Sequence, residues 1–209
     1  MNGSKAYLEI VSHYESCLDR HGDSHLGVDW PNRADAQKRY EVMLDVVRST
    51  DSPVSLLDFG CGASHLYEHM VATGRAGLIH YSGLDLSPKF VELSRRKFPE
   101  LRYYCLDVLD GGALPEFDYI IANGVFTEKR GLTFEEMFEY FKATLRAVFQ
   151  KARIGVAFNV MSTRVDWERE DLFHVPFDSM AVFLAAEVSR HFVFRHDYRL
   201  YEYTVYVYR

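Results

Sequence analysis

From residue 54 onward the chain alternates between short apolar runs and amphipathic stretches, and this alternation restricts its fold more than any other feature. "VSLLDFG" (54–60), "LIHYSGLDLS" (78–87), "RYYCLDV" (102–108), "FDYIIANGV" (117–125) and "RIGVAFNVM" (153–161) each have the length and texture of a buried strand. Helical patterns fall between them. One covers about 64–73, and another is "PKFVELSRRKF", opened by Pro88. The third is "TFEEMFEYFKATLRAVFQ" (133–150), where Thr133 and Glu136 have capping-box spacing. Phe134, Met137, Phe138, Phe141, Leu145 and Val148 line one of its faces. Strands joined by helices run parallel and are covered on both faces. The end of the chain differs. After a helix near 178–189, "HFVFRHDY" (191–198) and "YEYTVYVYR" (201–209) are separated by a link that permits only an antiparallel hairpin. The expectation is an α/β fold with a seven-stranded, mostly parallel sheet, an antiparallel C-terminal hairpin and helices on both faces.

The first fifty residues have another texture. Helical periodicity covers 4–19, through Ala6, Ile10, Tyr14 and Leu18 with Val11 adjoining, and 33–50, through Tyr40, Met43, Leu44 and Val47. A polar loop, 19–32, separates them. Residues 1–50 are therefore expected to form a helical cap or lid on a body spanning 51–209, within a single domain of 209 residues. Hydrophobic residues make up 48% of the chain, enough for a full core. The net charge of −6 argues against a nucleic-acid partner bound through phosphates. Cys17, Cys61 and Cys105 are odd in number and contain no Cys-x-x-Cys pair, so neither a disulfide framework nor a zinc site is expected. They read as reduced thiols of a cytoplasmic protein. The N-terminus has no apolar h-region and no run of 18 apolar residues occurs, so no signal peptide and no membrane partner are expected. The tyrosine-rich last strand is compatible with a monomer or with a homodimer edge.

"LLDFGCGASHLYEHM" (56–70) leaves a strand at Asp58 through Gly60 and Gly62 into a helix. Ligands of open parallel sheets bind beyond the carboxyl ends of the strands, and glycines let the backbone approach them. The competing reading is a tight strand–helix junction. Context favours a ligand. The next strand ends in Asp85, at a spacing suited to a carboxylate gripping ribose hydroxyls. Asp85 also reads as a helix N-terminal residue, although Ser87 serves that purpose. Asp107 ends the third strand, either as an acceptor for an adenine amino group or as a turn residue ahead of "DGG". Asn123 and Gly124 end the fourth.

These segments resemble the motifs of the class I S-adenosylmethionine-dependent methyltransferases, of the small stand-alone bacterial type. "LDFGCGASHL" looks like motif I, "GLDLS" the second, "CLDV" the third and "FDYIIANGV" the fourth, and the resemblance covers about residues 54–209. It implies a Rossmann-like sheet with the last strand inserted beside the fifth, and S-adenosyl-L-methionine as cofactor. Ser64 departs from the pattern, standing where a third glycine is usual. By resemblance, Asp58 orients the methionine end and the Gly60–Cys61–Gly62 backbone passes against it. Asp85 holds the ribose with Leu86 against adenine, Asp107 and Val108 read the adenine edge, and Asn123, beside Gly124 at the reactive end, offers its backbone to the amino group. His65 follows the turn and either touches cofactor or substrate or is structural.

No motif announces a catalytic base. His25, His65, Asp166 and His174 are the weak candidates, each with a structural alternative. The resemblance places acceptor contacts in the N-terminal loop and in the loops after the fourth and fifth strands, which nominates Trp30, Phe126, Asn159 and Trp167. Each tryptophan reads equally as a loop anchor. Tyr14 reads as core or as a closure over the cofactor. Residues 123–126 are "NGVF", not the Asn/Asp-Pro-Pro-aromatic motif of amino-methylating nucleic-acid enzymes. The resemblance implies a small-molecule acceptor, such as a sugar or natural-product intermediate. The alternatives are an NAD(P)-dependent oxidoreductase, whose Tyr-x-x-x-Lys dyad is absent from the chain, and a non-catalytic protein that binds the same cofactor.

Overall fold

A computed structural model describes residues 5–48 and 52–209. Two helices, α1 (Leu8–His21) and α2 (Arg33–Leu44), precede the sheet. The body then runs β1 (Val54–Phe59), α3 (His65–Ala72), β2 (Ile79–Asp85), α4 (Pro88–Lys97), β3 (Arg102–Cys105), β4 (Phe117–Ala122), α5 (Phe134–Gln150), β5 (Ala152–Ser162), β6 (His174–Val175), α6 (Phe177–Glu187), β7 (His191–Arg195) and β8 (Glu202–Tyr208). The order across the sheet is β3-β2-β1-β4-β5-β8-β7, with β6 beside the end of β5. Strands β1 to β6 pair in parallel, and β8 pairs antiparallel with both β5 and β7.

Local chemistry sets the helix starts. The Asn32 side chain accepts from the backbone N–H of Ala34 and Asp35 ahead of α2. Ser87 caps α4 with Pro88 in its first turn, and Thr133 and Glu136 form the expected capping box on α5. Alternation along the strands then feeds two hydrophobic layers. Leu57, Ile120, Phe158 and Tyr203 face α5 and α6. Leu56, Ile121, Ala157 and Tyr206 face α2, α3 and α4. Every residue of β8 is buried, because that strand occupies an interior position while β7 takes the edge. Burial of each large apolar side chain contributes roughly 1.5–3 kcal/mol.

Some boundaries differ from the sequence reading. β6 is an eighth strand, too short to leave a periodic trace. β3 stops at Cys105, because Asp107 caps a 3-10 turn over Val108–Asp110. α1 begins at Leu8 and α2 ends at Leu44. The expected cap–body boundary at 50/51, and the expected first residue of the first helix, lie outside the described residues.

Candidate active site

The carboxyl ends of β1, β2 and β4 form the floor of a cavity of about 1020 Å³, including its open mouth. The glycine turn is tied down by backbone bonds. The N–H groups of Gly60 and Cys61 both donate to the Leu84 carbonyl, at 2.7 and 2.9 Å. Gly60 has φ +76° and Gly62 φ +51°. A side chain on Gly60 would begin 2.5 Å from Val125 Cγ2. Ser64 has φ +59°, so the departure from the glycine pattern sits in a backbone conformation that glycine favours. Its hydroxyl is used. Ser64 Oγ donates to Ser94 Oγ at 2.8 Å and pairs with Tyr103 Oη at 3.0 Å, and Ser94 Oγ donates to the Gly62 carbonyl at 2.8 Å. This relay joins the turn to α4 and β3.

Two carboxyl groups lie beneath the turn. Asp85 accepts from Gly62 N–H and from Ser87 N–H, both at 2.9 Å. Burial pushes its pKa up to about 6 against those hydrogen bonds. Asp58 is 3% exposed and accepts from the Tyr81 hydroxyl at 2.8 Å. Burial pushes it up to about 7 despite that bond, with Asp85 adding to the rise.

At the end of β4 a closed circuit of contacts surrounds Gly124. Its N–H donates to Asn159 Oδ1 at 2.7 Å, and Asn159 Nδ2 donates to Glu202 at 2.8 Å. Arg39 Nε donates to the other Glu202 oxygen at 2.7 Å. The Arg39 guanidinium lies 4.3 Å from the centre of the Trp30 ring. That ring in turn packs on Gly124, where an added Cβ would sit 2.7 Å from Trp30 Cζ2. Beside this circuit, Asn123 Oδ1 is buried and makes no hydrogen bond within the protein.

The roof comes from the N-terminal segment. Tyr7, Val11, Tyr14, Val28, Trp30 and Tyr40 all line the cavity. The Tyr14 hydroxyl donates to the Gly124 carbonyl at 3.4 Å, and Tyr7 stacks on Tyr140 with ring centres 4.4 Å apart.

Asp58, Gly60, Cys61, Gly62, His65, Asp85, Leu86, Asn123, Gly124 and Trp30 line this one cavity. Other nominated residues lie elsewhere. Asp107 and Val108 are not among its walls; the Asp107 carboxylate instead receives Tyr7 Oη, Lys5 Nζ at 3.2 Å and Leu109 N–H at 2.9 Å. Phe126 is 1% exposed and packs against Phe141 and Phe158 in the core. Asn159 supports Gly124 from behind. Trp167 is 70% exposed, and Asp166 is exposed too. His174 is buried, Nδ1 bonded to the Ser162 carbonyl and Nε2 accepting from Arg169 N–H. His25 bonds through Nδ1 to the Trp30 carbonyl at 2.6 Å, and His65 through Nε2 to Asp23 at 2.8 Å.

Tyr7, Val28, Tyr140, Arg39 and Glu202 escaped the sequence reading. Glu202 alone left a signal, a carboxylate at the head of a buried aromatic strand, which requires a cation or donor partner.

Fold and site together define a Rossmann-like protein that receives its ligand across strand ends. A family model described as a methyltransferase domain matches residues 57–155. A putative methyltransferase of Mycobacterium tuberculosis is 30% identical over 169 residues, covering 78% of this chain and 96% of that relative. The magnesium protoporphyrin IX methyltransferase of Synechocystis, solved with bound S-adenosylmethionine, superposes with a TM-score of 0.69 at 15% identity, over 100% of this chain and 99% of its own. The Burkholderia thailandensis 1,6-didemethyltoxoflavin-N1-methyltransferase has a TM-score of 0.62 at 14% identity, over 100% and 92%. The chain belongs to the class I S-adenosylmethionine-dependent methyltransferases. Among the described residues, no helix is long and apolar enough to cross a membrane.

Proposed function

We propose that this methyltransferase acts on a small-molecule acceptor held between the end of β4 and the N-terminal roof. The observation that carries the reading is Trp30, seated on Gly124 beside Asn123 and backed by Arg39. An aromatic face at that position suits a sugar ring or a planar heterocycle, as in a natural-product intermediate. In this reading residues 1–50 act as a lid on 51–209. The free thiols at Cys17, Cys61 and Cys105 are in keeping with a reducing, cytoplasmic setting.

The cavity fits the cofactor. The Gly60–Cys61–Gly62 backbone offers a surface without projecting side chains at the two glycines. Asp85 keeps lone pairs for ribose hydroxyls, and Leu86 lines the wall where adenine would rest. Asn123 Oδ1 is an unpaired buried acceptor and suits the cationic amino group of the methionine portion. Asp58, behind the turn, acts through Tyr81 and the β1 end. Tyr7 lines the cavity and holds Asp107, so we assign the adenine edge to Tyr7 with Asp107 behind it. When bound, S-adenosylmethionine supplies an activated methyl group. The protein's own work is alignment and exclusion of water, supplied here by the floor and the aromatic roof.

The test is incubation of the purified chain with a methyl-labelled donor and separate panels of sugars, heterocyclic intermediates, nucleic acids and proteins. Label should enter a small molecule, and Trp30→Ala should raise the KM for that acceptor. Label entering only nucleic acid or protein would contradict the reading.

A further inference from the structure

We propose that His13, Cys17, Asp29 and Glu128 form a site for a zinc-class divalent cation that clamps the cavity roof to the loop after β4. The cysteine spacing, with no Cys-x-x-Cys pair, predicts no metal. The fold brings donors together from three separate segments. His13 and Cys17 stand four residues apart on α1, hence on one face. Asp29 comes from the loop between α1 and α2, and Glu128 from the segment after β4.

Three of the donors converge, and Glu128 lies beside them. His13 Nε2 lies 2.7 Å from Asp29 Oδ2, 3.7 Å from Glu128 Oε2 and 3.7 Å from Cys17 Sγ. The donor atoms of His13, Cys17 and Asp29 all lie within 4.8 Å of one another. One imidazole nitrogen carries at most one proton, and His13 Nε2 faces three electron-rich neighbours at once. The negative charge of Asp29 also bears on Glu128, so the two carboxylates repel when both are ionised. A cation at the centre of His13, Cys17 and Asp29 would engage those three groups, with Glu128, 3.7 Å from His13 Nε2, able to move in as the fourth. The cluster already draws cations: Arg20 Nη2 is 3.4 Å from Cys17 Sγ, and Arg130 Nη1 is 3.3 Å from Glu128 Oε2. Asp29 holds φ +57°, a conformation that non-glycine residues adopt seldom and often at functional sites.

The donor set identifies the ion class. A thiolate, an imidazole and two carboxylates suit zinc or cobalt, whereas magnesium and calcium prefer oxygen alone. Tetrahedral zinc with ordinary bond lengths places its donors roughly 3.3–3.6 Å apart. The Cys17–His13 and His13–Glu128 separations are already close to that, and the His13–Asp29 pair must open by about 0.7 Å to reach it. Cys17 and Glu128 are nearly inaccessible to solvent, as befits a closed structural site. Asp29 adjoins Trp30 and His13 adjoins Tyr14, so an ion here would set two aromatic side chains that contact Gly124. The inference stands apart from the choice of methyl acceptor and needs no cofactor for its test.

The experiment is titration of the full chain, stripped with chelator, with cobalt(II) as an optical probe and zinc as competitor. One equivalent of cobalt should produce a thiolate-to-metal charge-transfer band and the intense visible absorption of a tetrahedral ion, both displaced by zinc. Zinc should also raise the Tm. Cys17→Ser should abolish the band, while Cys105→Ser should retain it. Asp29→Asn and Glu128→Gln should each weaken cobalt binding by roughly tenfold or more, since even supporting groups of metal sites cost that much. Absence of stoichiometric binding overturns the proposal. So does a band that survives Cys17→Ser or is lost in Cys105→Ser. If Cys17→Ser fails to fold, unaltered cobalt affinity in Asp29→Asn and Glu128→Gln overturns it instead.

Discussion

The floor and the roof of the cavity are built in opposite ways. The floor is held by backbone groups of residues at strand ends: Gly60 and Cys61 on the Leu84 carbonyl, Gly62 on Asp85. The roof is held by side chains that meet across long sequence separations. Lys97 reaches Asp23, Lys89 reaches Asp19, and Ser87 Oγ donates to Glu15. Two of these are ion pairs, and the solvent-exposed Lys89–Asp19 pair is worth roughly 0–1 kcal/mol. The floor is therefore preorganised by local backbone geometry, whereas the roof depends on contacts between distant segments. The floor, with Tyr7 at the adenine edge, should set cofactor affinity, and the rest of the roof, Trp30 foremost, acceptor recognition.

The sharpest way to break that division is Gly60→Val. The branched side chain would strike Val125 in a backbone conformation that valine rarely adopts. Cofactor binding should be lost in calorimetry while the far-ultraviolet circular dichroism stays that of the wild type. Unchanged affinity would remove the glycine turn from the site.

Asp85→Ala comes next. It should weaken S-adenosylhomocysteine binding by roughly 1.5–3 kcal/mol, the range for hydrogen bonds to charged groups. A wild-type isotherm would take Asp85 out of the ribose site.

The floor should also show itself in pH. Asp58 and Asp85 are raised to about 7 and about 6, against an ordinary aspartate value of about 3.9. Their protonated forms therefore stabilise the fold. That contribution is complete below about pH 4 and disappears as pH rises through about 6 and 7. The Tm of the ligand-free protein should fall over this window, and Asp58→Asn should flatten the fall. Cofactor affinity should move the other way, strengthening as Asp85 ionises and becomes a better acceptor for ribose hydroxyls. A level Tm profile would show that the two carboxyls are not buried as described.

The smallest effects belong to the two tryptophans, and they separate the roof from mere surface. Trp30→Ala should raise the acceptor KM more than it weakens cofactor binding. Trp167→Ala removes an exposed ring and should leave both, and stability, within about 0.5 kcal/mol. The reverse pattern would move the acceptor to the 163–171 loop.

The same contrast explains what could be read in advance. The floor is local: a strand, two glycines and a helix are consecutive in sequence, and the acidic strand ends follow at regular intervals. Asp58, Asp85, Asn123 and Gly124 were therefore visible, as were the parallel sheet and the terminal hairpin. The roof is a product of tertiary packing. Nothing near Tyr7 shows that its hydroxyl meets Asp107, a hundred residues on. Nothing near Asn159 shows that it bridges Gly124 to Glu202 rather than facing the acceptor. Phe126 follows the β4 end in sequence, yet its side chain turns into the aromatic cluster around Phe141. Ser64 shows a different limit. Its left-handed backbone follows from the glycine pattern, but its hydroxyl relay needs Ser94 and Tyr103 from α4 and β3.

The most direct measurement is calorimetric titration of the purified chain with S-adenosylhomocysteine, with NADH as the comparison ligand. S-adenosylhomocysteine should bind saturably at one to one, the binding should be lost in Gly60→Val, and NADH should give no heat. Binding of NADH without S-adenosylhomocysteine would contradict the cofactor assignment.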